Sequence, residues 1–340
     1  MTQTERPISP FGIQPEDLER HRRELTGYCY RMLGSVFEAD DAVQDTMVRA
    51  WRAADRFEGR SSLRSWLYRI ATNACLDMLR ARGRRARPMD MGLSVKADSA
   101  LPDMLPENAW VEPFPDRRLF DDTGDPAELA VRRATIRFAF VSALQYLPPR
   151  QRAVLILREV LRWEATEVAE LLDSTVASVN SALQRARATL ATRDIDDLDF
   201  SHAEPASPEQ AELLAEYVEA FENYDIPRLV SLLRDDAIMS MPPFPMWLQG
   251  PHQIGAFFLG TGAACRGSRL VVTEANGIAA FGSYKVDPDG GYSPWSIQLI
   301  DIDGDRIVGH HNFLDTKLFE VFGLPAHLDP GENQTHGRSK

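Results

Sequence analysis

The chain has 340 residues, enough for two or three domains, and its 44% of hydrophobic residues is an ordinary globular share. A formal net charge of −12 excludes a protein held on nucleic acid by phosphate attraction alone. No run nears the roughly 18–20 apolar residues of a membrane helix, the opening MTQTERPISP has no apolar signal core, and Cys29, Cys75 and Cys265 form no CxxC pair. A cytoplasmic protein with reduced thiols is therefore expected, without a cofactor or metal, since no HxxH, HExxH or CxxC spacing occurs.

Positive charge is local. Arg80, Arg82, Arg84, Arg85 and Arg87 crowd one segment, and Arg185 and Arg187 mark another. A chain that is acidic overall and basic at two sites binds DNA best when a larger partner holds it there.

In chain order, Glu16 to Leu33 reads as a helix with Leu18, Leu25, Tyr28 and Met32 apolar, broken at Gly34-Ser35. Two amphipathic helices follow within Asp40 to Arg87. In the first, Val43, Met47, Ala50 and Trp51 form a stripe expected to be buried, while Asp41, Gln44, Asp45 and Val48 share a mostly acidic face suited to a partner. In the second, Leu63, Trp66, Leu67, Ile70, Ala71, Ala74 and Met78 form the apolar stripe, and Arg69, Asn73 and Arg80 lie away from it. The loop Phe57-Glu58-Gly59-Arg60-Ser61-Ser62 between them carries a helix-breaking glycine and two serines able to cap.

DDAVQDTMVRAWR and RFEGRSSLRSWLYRIATNACLDMLRARGRR closely resemble region 2 of sigma-70 family factors of the extracytoplasmic-function (ECF) type. The resemblance implies that the first helix docks on the β′ clamp of core RNA polymerase. It also implies that the loop and second helix read and open the −10 promoter element. Phe57 and Asn73 fall on the family's base-capture positions, where an unstacked base needs an aromatic wall and polar groups for its edge. Arg60, Ser61, Ser62 and Arg69 lie beside them, and Arg80, Arg82, Arg84 and Arg85 are expected on phosphates, which position without specifying.

Residues 88–127 are proline-bearing and acidic and read as an extended linker, which in the family threads the polymerase cleft. Glu128 to Tyr146 reads as one helix, Pro148-Pro149 starts another, and Ala165 to Leu172, the turn Asp173-Ser174-Thr175 and Val176 to Thr192 make a helix-turn-helix. LPPRQRAVLILREVLRWEATEVAELLDSTVASVNSALQRARATL resembles ECF region 4, the −35 reader, whose partner on the polymerase is the β flap. Asn180 and Ala182 stand where the family pattern has Lys and Arg. Ser178, Asn180, Ser181, Arg185 and Arg187 are left as DNA contacts.

A second acidic linker, 194–207, leads to helices over Gln210–Asn223, Ile226–Leu233 and Pro251–Leu259, then strands at 270–272, 277–286, 295–302 and 307–314 with turns at Asp289-Gly290 and Asp303-Gly304. LLRDDAIMSMPPFPMWLQGPHQIGAFF and IDIDGDRIVGHHNFLD resemble the SnoaL-like branch of the nuclear-transport-factor-2 (NTF2) superfamily, a curved sheet around a cone-shaped pocket. Ketosteroid isomerases share that fold. Aligning their segment on Asp235-Asp236-Ala237-Ile238-Met239 puts Met241, which takes no proton, at the base position. Tyr217, Met241, Trp247, Trp295, His311 and Phe313 are candidate pocket residues or plain core.

The expected fold is multidomain. Sigma region 2 (16–87, a helical bundle), an acidic linker (88–127) and sigma region 4 (128–193, a helix-turn-helix) precede a linker (194–207) and an α+β SnoaL-like cone (208–325). The expected function is a non-enzymatic sigma factor that recruits core RNA polymerase to promoter DNA, with no membrane partner and with the last domain modulating activity in cis. The alternative is a DNA-binding regulator whose SnoaL-like domain senses or transforms a small molecule.

Overall fold

A computed structural model describes residues 13–80, 83–120, 125–192 and 207–330. In chain order its helices are α1 (Pro15–Glu19), α2 (Arg22–Leu33), α3 (Val36–Ala53), α4 (Leu63–Arg80), α5 (Pro126–Ala134), α6 (Phe138–Leu144), α7 (Pro149–Leu155), α8 (Ala165–Leu171), α9 (Val176–Ala191), α10 (Pro208–Glu222), α11 (Ile226–Ser231), α12 (Pro251–Leu259) and α13 (Leu318–Val321). The strands are β1 (Leu233–Ser240), β2 (Trp247–Gln249), β3 (Arg269–Ala275), β4 (Ile278–Val286), β5 (Tyr292–Asp303) and β6 (Arg306–Phe313). They divide into two compact units, one of residues 1–85 with 139–200 and one of 86–138 with 201–340.

The first unit is all helical. Gly34 ends α2 in the left-handed region (φ 69°), its N–H donating to the Tyr30 carbonyl at 2.7 Å, and the Ser35 hydroxyl accepts from Glu38 N to start α3. Val43, Met47 and Ala50 are buried as expected, but Trp51 is 37% exposed: eight positions beyond Val43 a 3.6-residue period has drifted off the buried face. Arg152, buried on α7, ties the two halves of the unit. It donates to the Met32 carbonyl near the end of α2, to Gln145 Oε1 at 2.6 Å, and to the Gln145 and Leu147 carbonyls at 3.1 Å each. A cation at a helix C-terminus satisfies carbonyls that have no intrahelical partner.

The second unit is a six-stranded sheet ordered β2-β1-β6-β5-β4-β3, antiparallel except for the parallel β1–β6 pair, with α10, α11 and α12 packed on it. Tyr217, Phe221, Ile254, Phe257, Phe258, Phe281, Ile300 and Ile307 belong to its core. β1 and β2 are strands where the sequence pattern shows only a helix running to Leu233 and no regular element after it. The parallel partner of β1 lies some seventy residues away, so no local turn announces the pairing.

Of residues 88–127, expected as an extended tether, those from 88 to 120 form a strap packed within this second unit. Val95 N donates to the Trp247 carbonyl, Leu105 N to the Pro243 carbonyl and Trp247 Nε1 to the Gly92 carbonyl, each at 2.9 Å. Trp110, Val111, Phe114, Leu119 and Phe120 are buried. Among the described carboxylates of 88–127, Asp98, Asp103, Glu107 and Asp125 stay exposed, while Glu112 and Asp116 are buried with the apolar residues. The helix expected over 128–146 is two, because residues 135–137 carry no helix and the chain passes from one unit to the other at Phe138–Ala139.

Candidate polymerase and promoter interfaces and the interior of the C-terminal sheet

On α3, Asp41 and Gln44 are exposed and Asp45 and Val48 half-buried, so the four share an open face, with Asp45 paired to Arg49 at 2.7 Å. The loop before α4 ends in a cap, Ser62 Oγ accepting from Ser65 N at 3.0 Å. Phe57 is half-buried with its ring 5.1 Å from that of Trp66, also half-buried instead of the core residue its spacing predicts. Arg60 pairs with Glu58 at 2.5 Å, and Ser61, Ser62 and Asn73 are exposed.

Arg60, Ser61 and Arg69 line a cleft of about 590 Å³ with Glu170, Asp173, Ser174 and Val176 of α8, the turn and α9. Arg69 donates to the Glu170 carbonyl at 2.8 Å. Beside it Arg64 pairs with Glu24 at 2.8 Å and lies over the Trp163 ring at 5.1 Å. At this cleft Arg69, itself exposed, meets the end of α8, next to the turn that leads into the candidate −35 helix.

The arginine cluster separates into distinct roles. Arg80 is exposed and paired with Asp77 at 2.8 Å. Arg82 lies outside the described residues. Arg84 is exposed and its guanidinium lies 4.0 Å over the Tyr146 ring. Arg85 departs from expectation: it is 4% exposed and paired with Glu38 at 3.1 Å, so its charge is spent inside the helical unit and not on phosphate.

On α9 the Thr175 hydroxyl caps the helix by accepting from Ser178 N at 3.1 Å. Ser178, Asn180, Ser181, Arg185 and Arg187 are all exposed, and Arg187 also meets Glu159 at 2.9 Å.

The candidate pocket residues of the second unit do not converge. Tyr217 is in the interior and Met241 packs at the edge of the core. Trp295 is 36% exposed, with Lys285 Nζ 3.2 Å from its ring centroid. Trp247 holds the strap at Gly92. His311 bonds Ser240 Oγ at 2.8 Å and packs on Phe138, 5.7 Å between rings, as does Phe313 at 5.3 Å. The interior histidine is His310. Its Nε2 is 3.1 Å from the Tyr217 hydroxyl, which donates to Gln298 Oε1 at 2.7 Å, and its ring stacks at 6.0 Å on Phe258.

Strict alternation from the core residue Ile307 points His311 and Phe313 inward. The register, however, runs Ile302↔Ile307 and then Asp301↔Gly309, leaving Val308 unmatched. That bulge inverts the parity and turns His310 and Asn312 inward instead. Gln298 and Asn312 carried no motif in the sequence; the bulge that aligns them had no local signature.

Burial lowers the His310 pKa to about 4 and, with Arg87 and His310 adding to it, that of His311 to about 3, so both rings are neutral. Among the described residues no group of three or more His, Cys, Asp or Glu is placed to hold a metal, and no helix is long and apolar enough to cross a membrane.

Residues 18–85 match the family model for sigma-70 region 2, and residues 137–190 that for sigma-70 region 4. The ECF RNA polymerase sigma factor SigG of Mycobacterium tuberculosis H37Rv is 45% identical over 314 residues, 91% of this chain and 83% of the relative. The RNA polymerase sigma-H factor of Pseudomonas aeruginosa PAO1 is 32% identical over 168 residues, 49% of this chain and 79% of its own. Among solved structures, the extracytoplasmic function sigma factor SigJ of Mycobacterium tuberculosis is similar in fold over 92% of this chain and all of its own, with a TM-score of 0.60 at 21% identity.

Proposed function

The chain belongs to the ECF sigma factors of RNA polymerase, and from that membership we propose that its C-terminal NTF2-like domain regulates initiation in cis by holding the segment that joins the two promoter-reading regions. As a sigma factor it is a non-enzymatic transcription factor that works with core polymerase on promoter DNA. The finer assignments are part of the same reading. The Asp41, Gln44, Asp45 and Val48 face meets the β′ clamp. The Phe57 loop with Arg60, Ser61, Ser62, Arg69 and Asn73 takes the −10 strand, with Arg80 and Arg84 on phosphates. The α9 set Ser178, Asn180, Ser181, Arg185 and Arg187 takes the −35 element, with the β flap behind it.

One observation carries the regulatory part. The buried side chain of Asn276, in the β3–β4 turn, accepts from Phe114 N of the strap at 2.8 Å and donates at 2.7 Å to the Ile136 carbonyl between α5 and α6, so a single residue holds the segment joining the two regions at two points 22 positions apart in sequence. A linker gripped there is withheld from any path through the polymerase.

Genomic run-off transcription with core polymerase, comparing the full chain with Asn276→Ala, tests this. A several-fold change in promoter-dependent product, with polymerase binding retained, is expected. Identical product from both proteins rejects regulation through the strap.

A further inference from the structure

We propose that Asn180 and Gln184 of α9 are the base readers of the upstream promoter element and that each takes an adenine in the major groove, an inference that rests on the assignment of α9 to the −35 element.

α9 follows a turn in which Asp173 takes the left-handed conformation (φ 48°), and Thr175 caps it by accepting from Ser178 N at 3.1 Å. At about 100° per residue, its buried Val179, Leu183, Ala186 and Leu190 fall within an arc of roughly 60°. Opposite that arc lie Ala177, Ser181 and Ala188, all exposed and all small. Short side chains there let the helix sit deep in a major groove about 12 Å wide, so the longer side chains bordering them reach base edges. Arg185 and Arg187 are exposed to either side of this ridge, roughly 80° from its centre, toward the two phosphate walls of a groove. Contacts on phosphate fix register and carry no sequence information.

Asn180 and Gln184 are the amides of the helix, exposed, one turn apart and on the same border of the ridge. Neither is bonded to another described side chain. Both precede the arginines, toward the helix start, which is the end that meets base edges in a helix-turn-helix. A carboxamide presents an acceptor beside donor protons. Adenine matches it, N7 accepting next to an N6 amino group that donates. Guanine offers two acceptors, N7 and O6, and would set a lone pair against the amide oxygen. Ser181 can pair with any base and so adds no preference, and the Ser178 hydroxyl is already bonded to that of Thr175 at 3.1 Å. Four residues of helix rise about 6 Å, so the two adenines belong within about two base pairs of each other, at roughly 3.4 Å per step.

The test starts from a promoter recovered by genomic run-off. About ten base pairs around −35, one turn of duplex, are randomised, core polymerase with the full chain transcribes the pool, and the productive templates are sequenced. Adenine enriched at two positions is expected. Asn180→Ala should erase the preference at one and Gln184→Ala at the other, each lowering output from the preferred sequence between about fivefold and a hundredfold. Asn180→Arg should turn its position from adenine to guanine, because a guanidinium donates to both O6 and N7. Arg185→Ala and Arg187→Ala should weaken all sequences alike. The replaced side chains are exposed, so thermal unfolding should match that of the parent chain. Adenine preferences that survive Asn180→Ala and Gln184→Ala, or a base other than adenine at the positions that respond to them, would overturn the inference while leaving α9 on the −35 element. No preference anywhere in the randomised segment, with every α9 variant equal to the parent, would overturn the inference together with the assignment of α9.

Discussion

The guanidinium of Arg85 sits on Glu38 at 3.1 Å with a side-chain exposure of 3%, and this burial sets its role. Removing one member of a buried pair leaves the other charge without compensation. Arg85→Ala should cost about 3 kcal/mol of stability in the helical unit. Arg84→Ala, which loses only a contact with the exposed side of Tyr146, should cost under about 1 kcal/mol. Urea unfolding of the two variants distinguishes them, and equal midpoints would refute the structural role. Asp116 is the second residue whose environment decides its behaviour. Both of its carboxylate oxygens accept from Gly277 N at 3.0 Å, and burial pushes its pKa up to about 7. An acid with a raised folded pKa holds an extra proton in the folded state between its two values. Its stabilising effect is complete below about pH 4 and is lost as pH rises through about 7. His310 and His311 run the other way, stabilising above their ordinary value of 6.5 and losing that as pH falls toward 4 and 3. Comparing Asp116→Asn with the parent chain cancels the histidines. The parent's melting temperature should fall relative to the variant between pH 5.5 and 8. Parallel curves would show that Asp116 does not titrate there.

Among the elements, the β3–β4 hairpin turn governs the strap. Asn276 and Gly277 both have positive φ, 55° and 72°, as a two-residue turn with the twist of the flanking strands requires. A Cβ at Gly277 would come within 2.7 Å of the Arg133 carbonyl, so both the conformation and the close approach demand glycine. Arg133 meets Glu274 at 2.6 Å on the same hairpin. Gly277→Val should loosen the strap with less effect on the sheet, because the turn residues hold strap backbone while β3 and β4 pair on their own register. Limited proteolysis should then cut within residues 88–137 at least tenfold faster than in the parent chain. Unchanged cutting would place the grip elsewhere. At the other element of interest, α9, Asn180 and Ala182 replace two basic residues of the family pattern, and Arg187 is shared with Glu159. A helix so depleted of cations offers less phosphate attraction, so under the proposed function more of the promoter discrimination would fall to the Phe57 loop and α4.

At the scale of the whole molecule, the chain leaves the helical unit after Arg85, runs through the C-terminal unit and returns at Ala139. Ending the chain at residue 206 would remove the residues that Trp110, Phe114 and Phe138 pack against. Such a truncated protein should still bind core polymerase through its helical unit, give altered promoter output, and bind a hydrophobic dye that the full chain does not. Unaltered output with no dye binding would mean that the strap needs no C-terminal partner. The helical regions, their order and the α+β character of the C-terminal unit were legible in the sequence, because helical periodicity, strand alternation and the region 2 and region 4 segments are local patterns. Tyr217 could be named from the same local evidence. What the strap packs on, the burial of Arg85 and the exchange of His311 for His310 were not. The strap's apolar residues sit among acidic ones, and its partners come from β2, Pro243 and the β3–β4 turn, far along the chain. The parity of β6 hangs on one unmatched residue, Val308, that only pairing with β5 reveals. Local propensity thus determined the helices and the β3–β6 meander, whereas long-range pairing made β1 and β2 strands and registry decided which atoms face the interior, because a shift of one residue in a strand turns every following side chain to the opposite face.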